Sequence, residues 1–245
     1  MLHLRSLAFN VAFYFWTFAM VLAHAPALRG SHQDVVAGQR RWASHIVWLM
    51  RRLAGIDYEI RGQQHLPAGG CVIAAKHQSA WDTIIWHRIL DDPAMVMKEE
   101  LLQIPVYGAL CRKSRMIAVD RRGGAKAMRA MLAQARQALA AARPIVIFPQ
   151  GTRTAPGTPV AAAPYLPGVA ALYRSLQVPV VPVALNSGLF WPRRSFLRHP
   201  GTIVLEYQPP IAPGLSRQAF MQALQDRIEG ATTRLERAAC GQASG

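Results

Sequence analysis

The sequence has little cysteine, and that scarcity excludes two kinds of chemistry. Cys71, Cys111 and Cys240 are odd in number and scattered, with no C-x-x-C pair among them. Neither a disulfide framework nor a zinc site fits that distribution, and a reducing cytoplasmic setting suits it best. Acidic residues are also scarce: 13 Asp and Glu stand against 28 Lys and Arg, for a formal charge of +15. The carboxylates are too few and too dispersed for a divalent-metal cluster, so no metal site is expected. Several catalytic signatures are missing too. The chain has no G-x-x-x-x-G-K-[ST] phosphate loop, no G-x-G-x-x-G dinucleotide turn, no H-E-x-x-H metal helix and no G-x-S-x-G nucleophile elbow.

What the chain does have is apolar surface and positive charge. With 51% apolar residues it cannot be a disordered chain, and 245 residues suffice for one domain with a full core plus a small appendage. A basic surplus of this size calls for polyanionic partners: nucleic acid, an anionic bilayer surface or phosphorylated substrates. The basic residues flank apolar segments and no nucleic-acid-binding motif occurs, so an anionic membrane surface is expected and nucleic acid is not. Residues 6–28 are the most apolar stretch, long enough to span a bilayer, yet interrupted by Asn10, Thr17 and His24 in a way that also suits lying in one leaflet. A cleaved signal peptide fits less well, because the apolar core is long and no clear small-x-small site follows. After a break around Pro26, residues 34–53 carry apolar side chains at 35, 42, 46, 49, 50 and 53, with Arg40, Arg41, Arg51 and Arg52 at other positions. That is the period of an amphipathic helix. Residues 1–55 therefore read as two membrane-docking helices and 56–245 as the main domain, although two ordinary core helices would show the same pattern.

From Asp57 onward short apolar runs alternate with helical periods. Strands are expected at 58–60, 71–75, 94–98, 116–119, 145–148, 178–185 and 202–207. Helices are expected at 83–90, 101–111, 123–143, 167–176 and 216–239, the last capped by Ser216. Strands alternating with helices mean an α/β layer structure with a largely parallel sheet.

In such a sheet the reactive groups gather where strands end. The run Cys71-Val72-Ile73-Ala74-Ala75 stops at Lys76 and His77, and Asp82 follows five residues after His77. On a continuous helix that spacing sets the two side chains roughly 140° apart, and on a strand it sends them to opposite faces. They can meet only if Gln78-Ser79-Ala80 bends the chain. A histidine held by a carboxylate is a competent general base, whereas a strand-ending His beside a helix-capping Asp is the plainer explanation of the pair alone. Asp120-Arg121 and Gln150-Gly151-Thr152-Arg153 also sit just past expected strands. Arg121, Arg122 and Arg153 are the candidates for phosphate, because a guanidinium grips it in two places. Backbone N–H groups near Gly151 or at a helix start could serve an oxyanion. Ser79 is best explained as a turn or cap residue and Cys111 as core.

His77-x-x-x-x-Asp82 followed by Phe148-Pro149-Gln150-Gly151-Thr152-Arg153 resembles the glycerolipid acyltransferases, in particular the bacterial 1-acyl-glycerol-3-phosphate acyltransferases. The likeness runs from about residue 57 to 207. It implies a mixed, largely parallel central sheet flanked by helices, with an N-terminal membrane-docking helix pair. It also implies direct attack of a lipid hydroxyl on a thioester, with His77 as base and Asp82 orienting it. Arg121, Arg153, Gly151, Thr152 and Gln150 match the phosphate-binding blocks, and Val181 and Pro182 fall in a block lining the acyl-donor side. The implied reaction acylates the sn-2 hydroxyl of a lysophospholipid to give phosphatidic acid at the cytoplasmic face of the inner membrane. No cofactor is expected beyond acyl-CoA or acyl-carrier protein as co-substrate. Three positions depart from the family pattern: Gln150 replaces Glu, Lys76 replaces Asn, and Leu166 stands where a Lys is common. The last opens the acceptor to other lysolipids, such as lyso-ornithine lipid. A non-catalytic lipid-binding relative is the remaining alternative.

Overall fold

Nothing in the first apolar run bends the chain until Pro26. The computed structural model describes residues 1–242, so the last three residues of the expected 56–245 unit lie outside it. Helix α1 (Leu2–Ala23) starts before the apolar run and is followed by a 3₁₀ turn (Ala25–Leu28) carrying Pro26, whose missing N–H cannot continue the ladder. Helix α2 (His32–Leu49) begins at a capping box, earlier than the apolar period indicates. Ser31 Oγ accepts from the Asp34 N–H at 3.2 Å, and Asp34 Oδ2 accepts from the Ser31 N–H at 2.6 Å. A π turn (Met50–Ala54) ends it at Gly55, whose φ is 70°.

The chain then runs β1 (Ile56–Arg61), β2 (Val72–Ala75), α3 (Trp81–Ile84), α4 (Trp86–Ile89), β3 (Ala94–Lys98), α5 (Tyr107–Lys113), β4 (Ile117–Val119), α6 (Gly124–Ala140) and β5 (Ile145–Ile147). It continues with α7 (Pro167–Leu176), β6 (Val180–Leu185), α8 (Ser187–Phe190), β7 (Gly201–Tyr207) and α9 (Arg217–Gln242). The single helix expected over 83–90 is instead the two short turns α3 and α4. The one expected over 101–111 is broken by Pro105: residues Glu99–Gln103 form a 3₁₀ turn, Val106 takes φ 61°, and α5 starts at Tyr107. Helix α6 stops short of residue 143 because Ala142 takes φ 54°.

Among the described residues the strands form one mixed, largely parallel sheet in the order β1-β7-β6-β2-β5-β3-β4, with only the β6–β7 pair antiparallel. Strand β2 sits between β5 and β6 and is buried on both faces, which is why it reads as an unbroken apolar run rather than an alternating one. Its side chains divide by parity. Ile73 and Ala75 join Phe9, Ile46 and Met50 beneath α1 and α2, while Val72 and Ala74 join Met131, Leu172 and Phe220 beneath α6, α7 and α9. Residues on both sides of the 55/56 boundary thus contribute to one core cluster. Phe9 is fully buried with its ring 5.0 Å from that of Trp191, edge to face, a burial that contributes about 2 kcal/mol.

Candidate active site

The parallel strands β2, β4, β5 and β6 present their C-terminal ends at the same edge of the sheet, and the chemistry-bearing residues lie there. Just past β2 the chain bends through Gln78-Ser79-Ala80 into α3. The bend brings His77 Nδ1 to 2.9 Å from Asp82 Oδ2. Asp82 has no solvent exposure and holds the bend from inside. Its Oδ2 accepts from the main-chain N–H of Gln78 at 2.6 Å and of Ser79 at 2.7 Å, and its Oδ1 accepts from Ser187 Oγ at 2.6 Å. A carboxylate only accepts, so the neutral imidazole carries its proton on Nδ1 and leaves Nε2 with a free lone pair. The His77 ring lies 4.0 Å from the Phe148 ring in a stacked arrangement. Its carbonyl accepts from the Thr154 N–H at 2.8 Å, tying the β2 tip to the loop after β5. Ser79 is buried and its Oγ accepts from the Trp81 N–H, the geometry of a turn residue. Burial raises the thiols of Cys71 and Cys111 to about 11, which keeps them protonated at neutral pH.

Helix α9 clamps the bend from outside. Lys76, 2% exposed, donates to both carboxylate oxygens of Glu229 at 2.9 and 2.7 Å, and Tyr165 Oη donates to the same carboxylate at 2.8 Å. Gln78 Nε2 donates to Glu236 Oε1 at 2.6 Å, while Gln78 Oε1 accepts from the Gly188 N–H at 3.0 Å. The lysine before His77 is thus buried with a carboxylate partner of its own, the partly exposed Glu229.

The loop after β5 turns at Gly151, whose φ is 65°. That left-handed backbone is what favours glycine here, and a Cβ would also lie 2.5 Å from Leu166 Cδ1, displacing the leucine that folds over the loop. The Gly151 N–H is taken by the Phe148 carbonyl, and those of Gln78 and Ser79 by Asp82. None of these three is available to an oxyanion. The main-chain N–H groups of Thr152 and Arg153 are the ones no described acceptor engages. Arg121, Gly151, Thr152 and Arg153 line one cleft together with His77. Arg153 is half-buried, and its pKa is lowered chiefly by that burial; Asp82 opposes the shift and Arg193 adds to it.

Other expected residues do not face the cleft. Gln150 is 5% exposed and its Nε2 donates to the Ala163 carbonyl at 3.0 Å, so it braces the loop instead of touching a phosphate. Arg122 stays outside the lining as well. Val181 and Pro182 are buried in β6, one of the inner strands, and line no part of the cavity. Pro182 is tolerated because its position lies beyond the paired residues of β6 and β7, which begin at Val183. Sequence reasoning missed Ser187 and Arg193. Ser187 was findable, since it stands just past the end of β6.

The cleft is one end of a cavity of about 1520 Å³ that extends beneath α1 and α2, where Tyr14, Phe18, Val21, Trp42, Met97 and Leu110 are among its lining. That exceeds the roughly 300–1,000 Å³ of most small-molecule sites and suits long apolar chains. His87 lines it too; burial pulls its imidazole down to about 4, with Asp92 opposing, so it is neutral there. Among the described residues no group of three or more His, Cys, Asp or Glu side chains is placed to hold a metal ion.

Comparison with known proteins agrees with this geometry. Residues 57–186 match the acyltransferase family. A 1-acyl-sn-glycerol-3-phosphate acyltransferase of Pseudomonas aeruginosa is 33% identical over 219 residues, covering 89% of this chain and 82% of that protein. The alpha form of the mouse (Mus musculus) enzyme of that name is 27% identical over 227 residues, covering 90% and 77%. The crystal structure of the 1-acyl-sn-glycerophosphate acyltransferase from Thermotoga maritima superposes with a TM-score of 0.75 over 96% of this chain and 98% of that one, at 19% identity. That likeness is one of fold.

Proposed function

The chain belongs to the acyltransferase family, and from that membership we propose that it moves an acyl chain from a thioester onto the sn-2 hydroxyl of 1-acyl-glycerol-3-phosphate, giving phosphatidic acid. The observation that carries this reading is the His77–Asp82 pair, opening onto a cleft that also holds Arg121 and Arg153 and runs into an apolar cavity. His77 Nε2 takes the proton from the hydroxyl as its oxygen attacks the thioester carbonyl. Asp82 holds the tautomer and stabilises the imidazolium that forms. The N–H groups of Thr152 and Arg153 serve the oxyanion. When the tetrahedral intermediate collapses, the C–S bond breaks and the thiolate leaves with the proton returned by His77. Arg121 and Arg153 grip the phosphate and so aim the hydroxyl. The donor is acyl-CoA or acyl-carrier protein, and no further cofactor takes part.

Purified protein offered an acyl thioester with lysophosphatidic acid, lyso-ornithine lipid or monoacylglycerol tests the acceptor directly. Lysophosphatidic acid should give the highest kcat/KM by at least about tenfold, the worth of one good charge-assisted contact. A higher value with lyso-ornithine lipid would transfer the assignment to that acceptor.

The protein works on the cytoplasmic face of the inner membrane, lying on the bilayer instead of crossing it. Helix α1 is long and apolar enough to cross, but one of its faces is committed to α2, the turn that ends it and the main domain. Arg5 Nε donates to the Leu53 carbonyl at 3.1 Å, Asn10 Nδ2 to the Phe196 carbonyl at 2.9 Å, and Trp42 Nε1 to Thr17 Oγ1 at 3.1 Å. The opposite face exposes Leu4, Leu7, Val11, Tyr14, Phe15, Phe18 and Leu22. That arrangement suits an in-plane helix. Tyr14 and Phe18 also line the cavity, so a lipid acceptor enters from the leaflet. Phe15→Asp with Phe18→Asp should weaken partition into anionic vesicles at least about a hundredfold, from the loss of two buried aromatic rings. Unchanged partition would show that this face is not the one that docks.

A further inference from the structure

Arg193 lies in the segment after α8, outside the residues 57–186 that match the family. Its Nη1 donates to the Arg153 carbonyl at 2.8 Å, and its side chain lines the same cleft as Arg121, Arg153 and His77. Three guanidiniums therefore border one opening. Among the described residues none of them reaches a carboxylate within ion-pair distance. The one carboxylate whose field reaches Arg153 is Asp82, and its acceptors are already engaged by two N–H groups, a hydroxyl and the His77 ring. Arg193 in turn adds like charge that lowers the pKa of Arg153. Asp120 also borders the opening, but one carboxylate beside three guanidiniums leaves a positive surplus, and an anion placed between the guanidiniums relieves their repulsion. A zwitterion or a neutral alcohol would not do so. Leu166, an apolar residue folded over Gly151 in this cleft, leaves the positive charge to the arginines.

We propose that Arg193 binds the phosphate monoester of the acceptor lipid, forming a three-guanidinium clamp with Arg153 and Arg121 that selects phosphate-bearing lysolipids over zwitterionic and neutral ones. The inference deepens the acyltransferase reading and rests on it. One guanidinium nitrogen of Arg193 is held by the Arg153 carbonyl, so the fork is oriented while its other donors stay free for phosphate oxygens.

The test is steady-state kinetics of Arg193→Gln and Arg193→Lys with lysophosphatidic acid, lysophosphatidylcholine and monoacylglycerol as acceptors. Each is run with acyl-CoA and with an acyl N-acetylcysteamine thioester, a donor that carries no phosphate. Gln removes the charge, and Lys keeps it on a side chain of similar reach. The expected result is a KM for lysophosphatidic acid raised about tenfold to a hundredfold, with kcat within about threefold. Kinetics with the other acceptors should not change, and Lys should restore part of the loss. A fall in kcat shared by every acceptor would mean that Arg193 only props the Arg153 loop, and would overturn the proposal. So would no change at all, or a KM rise confined to acyl-CoA, which would give Arg193 to the donor's phosphates. Wild-type protein that acylates no lysolipid would instead defeat the acyltransferase reading and this inference with it.

Discussion

His77→Ala should lower kcat for acyl transfer by about a thousandfold, within the range by which a positioned general base accelerates a reaction. The Nε2 lone pair of His77 faces the cleft that Arg121 and Arg153 share, which places it to accept a proton there. The nearby carboxylate, Asp82, spends its acceptors on the Gln78 and Ser79 N–H groups, Ser187 and the His77 ring itself. Neither buried thiol can substitute, since both are held protonated. His77 is buried, but Asp82 Oδ2 keeps its two main-chain donors when the ring is removed, so thermal unfolding should fall far less than on loss of Asp82 and vesicle binding should stay close to wild type. The measurement pairs turnover with both of those readouts. A His77→Ala protein that turns over at the normal rate would end the assignment of the base and with it the non-covalent mechanism.

Asp82→Ala should harm stability as well as rate. The substitution leaves two main-chain N–H groups, the Ser187 hydroxyl and His77 Nδ1 without their acceptor, at a position with no solvent exposure. Removing one partner from such a buried network costs about 3–5 kcal/mol, and for a chain of this size that corresponds to a fall in Tm of about 10 °C. Asp82→Asn separates the two effects. Its amide oxygen can still accept from the main chain at a smaller cost in Tm, but it cannot stabilise an imidazolium, so kcat should still fall at least about a hundredfold. If Asp82→Asn kept full activity, the carboxylate would be a cap and nothing more.

Much of this arrangement was readable from residue order, because it depends on local rules. The apolar run of β2, the bend needed to join His77 to Asp82, and the placement of Arg121 and Arg153 past strand ends all follow from periodicities of two and 3.6. Other features depend on which segments meet across the molecule. The contact of Ser187 with Asp82 spans 105 residues and that of Arg193 with Arg153 spans 40, so no local pattern announces either contact, although the strand end before Ser187 marks that residue as a candidate. Gln150 and Val181 turn away from the cleft for a related reason. A motif gives a residue's position in the chain, whereas the direction of its side chain is set by the Ala163 carbonyl in one case and by the strand's parity in the other. The broken helix at Pro105 was legible and was passed over. Proline in a helical period removes a donor wherever it stands.

The grip of α9 on Lys76 and Gln78 has a temporal consequence. Synthesis runs from the first residue onward, so α1 leaves the ribosome long before Glu229 and Glu236 exist to seize the tip of β2. A growing chain can therefore form α1 well before its imidazole is locked in position, and the site is complete only once α9 has been made.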